Sequence, residues 1–417
     1  MASQNSKLTS NGDIILVLSR SHPELIAFAK YLATKNARFV LLTNLSITSA
    51  TYKRLNFITK YIPNLDFKIR KRVIPLNSTN STIISANFFQ DIVYRMAYQF
   101  GWKRLQLITL KWQDIRFEHQ QKILIEKINP GIIVASEAIR MQTKPKKKLV
   151  IISFHGDPRF INKIRERAGA MYPEWLETEQ ILPSFSLSLD LADQIISLSN
   201  FSAKGIVAHQ KKYVPVRVIP VGPLLLPSTE PLNQIAIDEK LTATYLGRMS
   251  LMKGLPSYLK LSNEFSDRMN FNLCGFASQE VMTKIRSQKS DSLQIFPSPN
   301  KSNLELILAK SDVYISPSYY EGFGIAALEA MAFGSIPICS KNSAINEVLA
   351  NTDLEKFIFD PFDYNSLSSK LRLLLQADNQ ELIYYKKLAM DISRNFSYEN
   401  FSAKLFDFLQ ETQINES

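Results

Sequence analysis

Short apolar runs, each followed by a stretch of helical character, restrict this chain more than any other feature. "DIILVLS" (13–19), "RFVLLT" (38–43), "GIIVAS" (131–136), "KLVIISF" (148–154), "DQIISLS" (193–199) and "VRVIPV" (216–221) read as buried strands with helices between them. That is the strand-helix-strand rhythm of a doubly wound parallel sheet. Ser21-His22-Pro23-Glu24 fits a Ser-x-x-Glu capping box at the start of the first helix. Pro223, Pro227 and Pro231 then interrupt the periodicity, and 222–240 reads as a linker. A second series follows in "LTATYLG" (241–247), "NFNLCG" (270–275), "SLQIF" (292–296), "DVYISPS" (312–318) and "SIPICS" (335–340), and roughly the last 50 residues read as helical. A chain of 417 residues is too long for one ordinary domain. The expectation is two α/β domains, 1–222 and 223–417.

The strongest chemical signal is "PSYYEGFGIAALEAMAFGSIPIC" (317–339). A strand ends at Ser316, a loop carries Glu321, Gly322, Phe323 and Gly324, and a helix begins near Gly324 with Glu329 in its second turn. Glycines at such a junction let a ligand approach the backbone. The amides of Phe323, Gly324 and Ile325 then sit at the positive end of the helix dipole, which makes an anion site. Two carboxylates flank it and can accept hydrogen bonds from sugar or ribose hydroxyls. Taken alone, the glutamates would read as a helix cap and a solvated group; the glycines and apolar strands favour a ligand site. In "YLGRMSLMKG" (245–254), Gly247 and Arg248 close a strand and Lys253-Gly254 precedes a helix. Arg in fork geometry and Lys as a point charge suit a diphosphate, with two solvated cations as the ordinary alternative. Both loops belong to one sheet, and strand ends in such sheets share a crevice.

With these motifs the chain resembles the retaining GT-B-fold glycosyltransferases of family 4, the glycosyl transferases group 1. Glu-Gly-Phe-Gly with a second Glu, giving E-x7-E from Glu321 to Glu329, is similar to the family signature, and Gly247-Arg248 with Lys253-Gly254 to its donor-phosphate loop. "ADQIISLSNFS" (192–202) resembles its last N-domain strand and following helix, and "FSYENFSAKL" (396–405) its C-terminal helix, expected over about 398–412 and crossing back to the first domain. The resemblance is specific across 190–410 and only architectural before residue 130. It implies two Rossmann-like domains facing across a cleft, the first on the acceptor side and the second binding the nucleotide sugar. It implies that Arg248 and Lys253 neutralise the donor diphosphate, Glu329 holds the ribose, and Glu321 contacts the transferred sugar. The amides at 323–325 would serve the diphosphate and sugar, and Gly275 and Ser298 would line the nucleotide pocket. No cofactor and no divalent metal is expected, because Arg, Lys and the helix terminus supply the positive charge. In "SFHGDPRF" (153–160), His155 read alone could equally be a loop histidine with a local structural bond; the resemblance places it where the family often carries a histidine facing the donor sugar, while Asp157-Pro158 reads as an N-cap and first helical residue. There are two departures: "SRSHPE" (19–24) has no glycine after the first strand, which leaves the acceptor open, and "KNSAINE" (341–347) lacks the usual glycine before the Glu347 region.

The implied reaction is sugar transfer from a nucleotide diphosphate sugar with retention of configuration, by a front-face route in which the leaving diphosphate oxygen accepts the acceptor's proton. The alternatives are a non-catalytic GT-B-like subunit that binds sugar or a partner, and a nucleotide-sugar epimerase, which would need further acid/base residues in the cleft. Residues 1–220 carry 32 Lys+Arg and 15 Asp+Glu, and the rest 18 and 23. The positive excess therefore lies in the acceptor half and suits an anionic acceptor or lipid surface. Nucleic acid is the other class it suits, and no matching motif is present. The stretches 52–72 and 87–104 place aromatic residues beside cations, as an interfacial segment does; packing of helices on the sheet is the alternative. No apolar run is long enough to span a bilayer, Met1 to Asp13 lacks the order of a signal peptide, and Cys274 and Cys339 read as buried thiols. The expectation is a cytoplasmic protein, peripheral on the inner face of the membrane.

Overall fold

The computed structural model describes residues 14–19, 22–44, 47–48, 73–74, 81–87, 93, 102–141, 143–175, 184–223, 225–227, 240–288 and 290–414. The stretch 52–72, nearly all of 87–101, Ser21 and linker residues 228–239 lie outside them.

The strands are β1 (Ile15–Ser19), β2 (Phe39–Thr43), β3 (Ile47–Thr48), β4 (Val73–Ile74), β5 (Ser81–Ser85), β6 (Ile132–Ser136), β7 (Lys148–Ser153), β8 (Gln194–Ser197) and β9 (Val216–Val218). Seven of them form a parallel sheet in the order β5-β2-β1-β6-β7-β8-β9, while β3 and β4 pair separately. Ile15 of β1 lies opposite Phe39 on one side and Ile132 on the other. Alternate residues feed two apolar layers. Ile15, Val17, Val134 and Ile152 pack with Phe28 on one face, and Leu16, Leu18, Ile133 and Ile151 pack with Phe117 on the other. Burial on both faces is why these strands are apolar throughout.

The second sheet is β10 (Thr242–Leu246), β11 (Asn270–Gly275), β12 (Leu293–Pro297), β13 (Val313–Ser316), β14 (Ile336–Ser340) and β15 (Ile358–Phe359), ordered β12-β11-β10-β13-β14-β15 and parallel throughout. Each sheet starts near its centre, grows to one side, then reverses. The reversal, between β1 and β6 and between β10 and β13, opens a crevice at the strands' carboxyl ends. Cys274 and Cys339 are free and buried on β11 and β14, and burial pushes the Cys274 thiol up to about 12.

The terminal helix Tyr398–Ile414 returns to the first sheet. It lies against the helix Pro23–Thr34, with Tyr31 and Phe406 ring centroids 6.1 Å apart. Lys148 Nζ donates to the Thr412 carbonyl at 3.1 Å, and Arg217 pairs with Glu411. The crossing is tight: a Cβ on Gly222 would lie 2.3 Å from Ser397 Cα. Among the described residues no helix is long and apolar enough to cross a membrane.

Local structure confirms Asp157 as an N-cap, accepting from the Arg159 amide at 2.8 Å ahead of the helix Pro158–Met171. It corrects the capping box. The first helix starts at Pro23 with His22 as N-cap, and His22 makes no side-chain cap bond. Proline lacks an amide proton and has a helical φ, so it takes the first helical position and moves the start past Ser21. Glu24 then turns inward and is buried.

Candidate active site between the two sheets

On the second-domain side the strand ends meet backbone to backbone. Gly247 and Gly275 close β10 and β11 with φ of 152° and 144°. A Cβ on Gly275 would lie 1.6 Å from the Gly247 carbonyl oxygen. The Ser298 amide donates to the Gly275 carbonyl at 2.7 Å, and Ser298 itself takes φ 49°. Gly247, Gly275 and Ser298 thus sit on three adjacent strand ends, with Arg248 exposed beside them and its carbonyl accepting from the Tyr245 hydroxyl at 2.6 Å.

The chain then turns back. Gly254, with φ 71°, caps the helix Leu255–Glu264, and a Cβ there would lie 1.9 Å from the Pro317 carbonyl oxygen. This approach brings Lys253 beside Glu321, and the two form an ion pair. The segment after β14 props the Glu321 loop, since Glu321 donates its amide to Asn342 and accepts from the Ala344 amide. Gly324 is left-handed, φ 99°, and caps the helix Ile325–Ala332 without a side-chain bond, so the first turn of amides is not covered by a capping side chain. A Cβ on Gly324 would come within 3.3 Å of Ser343 Oγ, a buried hydroxyl with no hydrogen-bond partner. Glu329, farther along that helix, accepts from the Leu225 amide at 3.1 Å and is thereby tied to the chain arriving from the first domain.

On the first-domain side a single buried carboxylate does the positioning. Glu137, just past β6, accepts from the Ser153 hydroxyl, the Phe154 amide at 3.0 Å, the His155 amide at 2.8 Å and His155 Nδ1 at 2.6 Å. Partial desolvation where the two domains meet opposes protonation of His155, whose side chain stays 59% exposed. The hydrogen bond and charge of Glu137 outweigh it, so the imidazole is held above its ordinary value. Lys253 and Glu321 act on that charge from across the cleft, in opposite directions. Phe154 stacks on His22 with centroids 4.4 Å apart. Near it, burial pushes the Glu24 carboxyl up, and Tyr398 donates to it at 3.5 Å.

The domains touch at Gly322. A Cβ there would lie 2.6 Å from the Phe154 carbonyl oxygen. The Gly322 carbonyl accepts from the hydroxyls of Ser199 at 2.7 Å and Ser202 at 3.0 Å. Glu347 reaches across and caps the helix Asn200–His209, accepting from the amides of Asn200 at 2.9 Å and Phe201 at 2.5 Å. A carboxylate is favoured at that positive helix end.

The structure therefore brings His155, Lys253, Glu321 and the 322–325 turn together, with Arg248, Gly247, Gly275 and Ser298 along the same crevice. Sequence reading missed Glu137 and the placement of Glu24, whose partners are remote in the chain, and Ser343, whose burial beside Gly324 has no local signal. Among the described residues no group of three or more His, Cys, Asp or Glu is gathered to hold a metal ion.

Comparison with known proteins follows the same division. Residues 229–390 match the family model for glycosyl transferases group 1. O-antigen chain mannosyltransferase B of Escherichia coli is 28% identical over 236 residues, which cover 52% of this chain and 59% of that protein. The chain thus matches less than two thirds of that relative's length. Sucrose-phosphate synthase from Thermosynechococcus elongatus superimposes with a TM-score of 0.65 at 15% identity, over 97% of this chain and 100% of that one. Anabaena HepE in complex with UDP and glucose does so with a TM-score of 0.60 at 14% identity, over 96% and 100%.

Proposed function

We propose that this chain, whose residues 229–390 match the glycosyl transferases group 1 model and whose two sheets make a GT-B fold, is a retaining glycosyltransferase that moves a sugar from a nucleotide diphosphate sugar to a hydroxyl acceptor. The observation that carries this reading is the meeting of both domains at one point. Glu137 holds His155, the neighbouring Phe154 carbonyl lies where a Cβ on Gly322 would come within 2.6 Å, and Glu321, just before Gly322, pairs with Lys253.

In this reading the donor diphosphate lies against Arg248, Lys253 and the amides of Phe323, Gly324 and Ile325. Its oxygens compete with Glu321 for Lys253. The Lys253–Glu321 pair is partly exposed, and such pairs contribute little net stability, so the exchange costs little. Ser343 Oγ, which has no protein partner, adds a hydrogen bond at the same place. Glu321, once exchanged, accepts from hydroxyls of the transferred sugar, and His155 contacts that sugar from the first domain. Glu329 holds the ribose, while Gly275 and Ser298 line the nucleotide pocket. As the bond to the anomeric carbon breaks, negative charge builds on the leaving phosphate oxygen. Arg248, Lys253 and the helix terminus stabilise it, and that oxygen takes the acceptor's proton on the same face. The charge is met by side chains and backbone, so this reading needs no divalent metal.

The similarity to an O-antigen mannosyltransferase and the basic first half favour a glycan or lipid-linked acceptor in cell-surface polysaccharide or glycolipid synthesis, met at the inner face of the membrane. The test is thermal melting with UDP- and GDP-sugars, followed by product analysis. A donor present at a hundred times its Kd should add about 2.7 kcal/mol of stability. If no nucleotide sugar raises the melting temperature and none is cleaved or transferred, the enzyme reading fails and a non-catalytic subunit replaces it. An inverted anomer in the product would remove retention alone.

A further inference from the structure

The helix Lys103–Ile128 is apolar on two faces. One carries Phe117 and Leu124, packed on the first sheet, in line with the buried Gln113 and Gln121. On the opposite face Leu107, Ile108, Trp112 and Ile115 stay 49–68% exposed, and Trp102, just ahead of the helix, is also exposed. An apolar helix face turned away from its own core calls for a partner.

Its place in the fold is informative. The helix leads into β6, so it runs antiparallel to the strands. Asn87, two residues past β5, donates to the Gln113 carbonyl at 3.0 Å and to the Asn44 side chain just past β2 at 2.9 Å. Gln113 is therefore level with the carboxyl ends of the strands. At 1.5 Å per residue, positions 103–112 project about 15 Å beyond that edge, on the side where the cleft opens.

The same outward face carries exposed Arg104, Lys111, Arg116 and Lys122 among the apolar side chains. Farther along, a cavity of about 870 Å³ opens between the helix and the 140–147 segment. Glu118 and Glu126 line it too, and Arg140 pairs with Glu118 and Lys144 with Asp193, so Lys122, Lys146 and Lys147 carry its positive excess. We propose that this projecting face docks on an anionic lipid bilayer. Leu107, Ile108 and Trp112 enter the boundary between headgroups and acyl chains, and the cations meet lipid phosphates. A second copy of the chain fits poorly, because a two-fold contact would set this basic face against itself. The docking stands independently of the glycosyltransferase reading. Only its use, holding the cleft mouth at a surface where a lipid-borne acceptor lies, rests on it.

The test is co-sedimentation of the full chain with vesicles of phosphatidylcholine, alone or with phosphatidylglycerol, at low and high salt. Binding should require the anionic lipid, weaken with salt, and shift tryptophan emission to the blue. The double variant Leu107→Asp/Trp112→Asp should bind about tenfold or more weakly. Lys111→Glu/Arg116→Glu should also bind more weakly. Both pairs are exposed, so circular dichroism and the donor-induced melting shift should stay as in the wild type. No wild-type binding, equal binding to neutral vesicles, or variants that bind like the wild type would overturn the proposal. So would concentration-dependent self-association that the variants abolish, which would give the face to a second copy.

Discussion

The two walls of the cleft hold their chemistry by opposite means. On the second-domain wall the backbone does it. Gly247, Gly254, Gly275 and Gly324 all take positive φ, and at Gly254 and Gly275 a Cβ would strike a carbonyl oxygen. On the first-domain wall one buried carboxylate, Glu137, gathers four donors from the 153–155 turn. A wall built from close backbone contacts tolerates almost no substitution, so it suits a part that every donor shares. A wall built from one side chain and its hydrogen bonds can be re-cut around a different acceptor.

The largest expected effect comes from breaking the backbone wall. Gly275→Ala should cost about 2–4 kcal/mol of stability through steric conflict and a strained φ and should abolish the donor-induced melting shift. Gly247→Ala is the matched control. It has similar φ but no atom within 4 Å of the added carbon, so it should cost only about 1–2 kcal/mol. Equal costs in denaturant titration would show that strand-end contact is not what holds this wall.

Next comes the charge between the walls. Lys253→Ala should weaken donor binding, and Glu321→Ala should chiefly lower turnover, each by roughly ten- to a hundredfold for one charge-assisted bond of about 1.5–3 kcal/mol. Calorimetry and steady-state kinetics separate the two. Wild-type behaviour in both would take the pair out of the site.

Glu137→Gln probes the other wall. Glu137 positions His155 and touches no reacting atom, so pH dependence is the discriminating readout. Its charge and hydrogen bond raise His155 in the folded protein. That contribution to stability is fully present below the unfolded histidine value and is lost as pH rises through the folded one. In Glu137→Gln the histidine limb of the pH–activity profile should move to lower pH, with turnover down about tenfold. A uniform loss at every pH would leave Glu137 a purely structural group.

The difference between the walls also explains what could be read in advance. The strands were legible because parallel strands buried on both faces are apolar without interruption, and the second-domain wall was legible because its glycines stand in the sequence beside Arg248, Lys253 and Glu321. β5 was missed because "STIIS" is short, polar at both ends and half-buried, and β15 because two residues leave no pattern. Glu137 gave no local signal, since its partners come 16 to 18 residues later. Glu347 caps a helix 147 residues away, a contact between residues on the two domains that no local pattern announces. The expected membrane segment 52–72 lies outside the described residues, and the apolar face on the helix Lys103–Ile128 carries that question instead.

The smallest expected effect is a gain. Glu24 lies on the first-domain wall and is only 6% exposed; one of its oxygens has no hydrogen-bond partner, and the other is 3.5 Å from the Tyr398 hydroxyl. Burial pushes its carboxyl up, only partly offset by its own backbone amide and by His155. A carboxyl raised in the folded state favours folding while protonated, and that benefit is lost as pH rises through the folded value. At pH 7 the unfolded carboxyl is ionised, so folding must either bury that charge or take up a proton, and both oppose folding. Glu24→Gln removes the charge and keeps an acceptor for Tyr398, so it should melt higher at pH 7, by about 2–4 °C for each kcal/mol recovered in a domain of this size. The gap should close below the ordinary carboxyl value, where wild-type Glu24 is itself neutral. A gap that persists at low pH would assign the gain to packing. Turnover decides what the strain is for: if Glu24→Gln gains stability and keeps its activity, the charge is a by-product of the helix starting at Pro23. If it gains stability and loses activity, the first-domain wall stores strain in a buried charge where the second-domain wall stores it in its glycines.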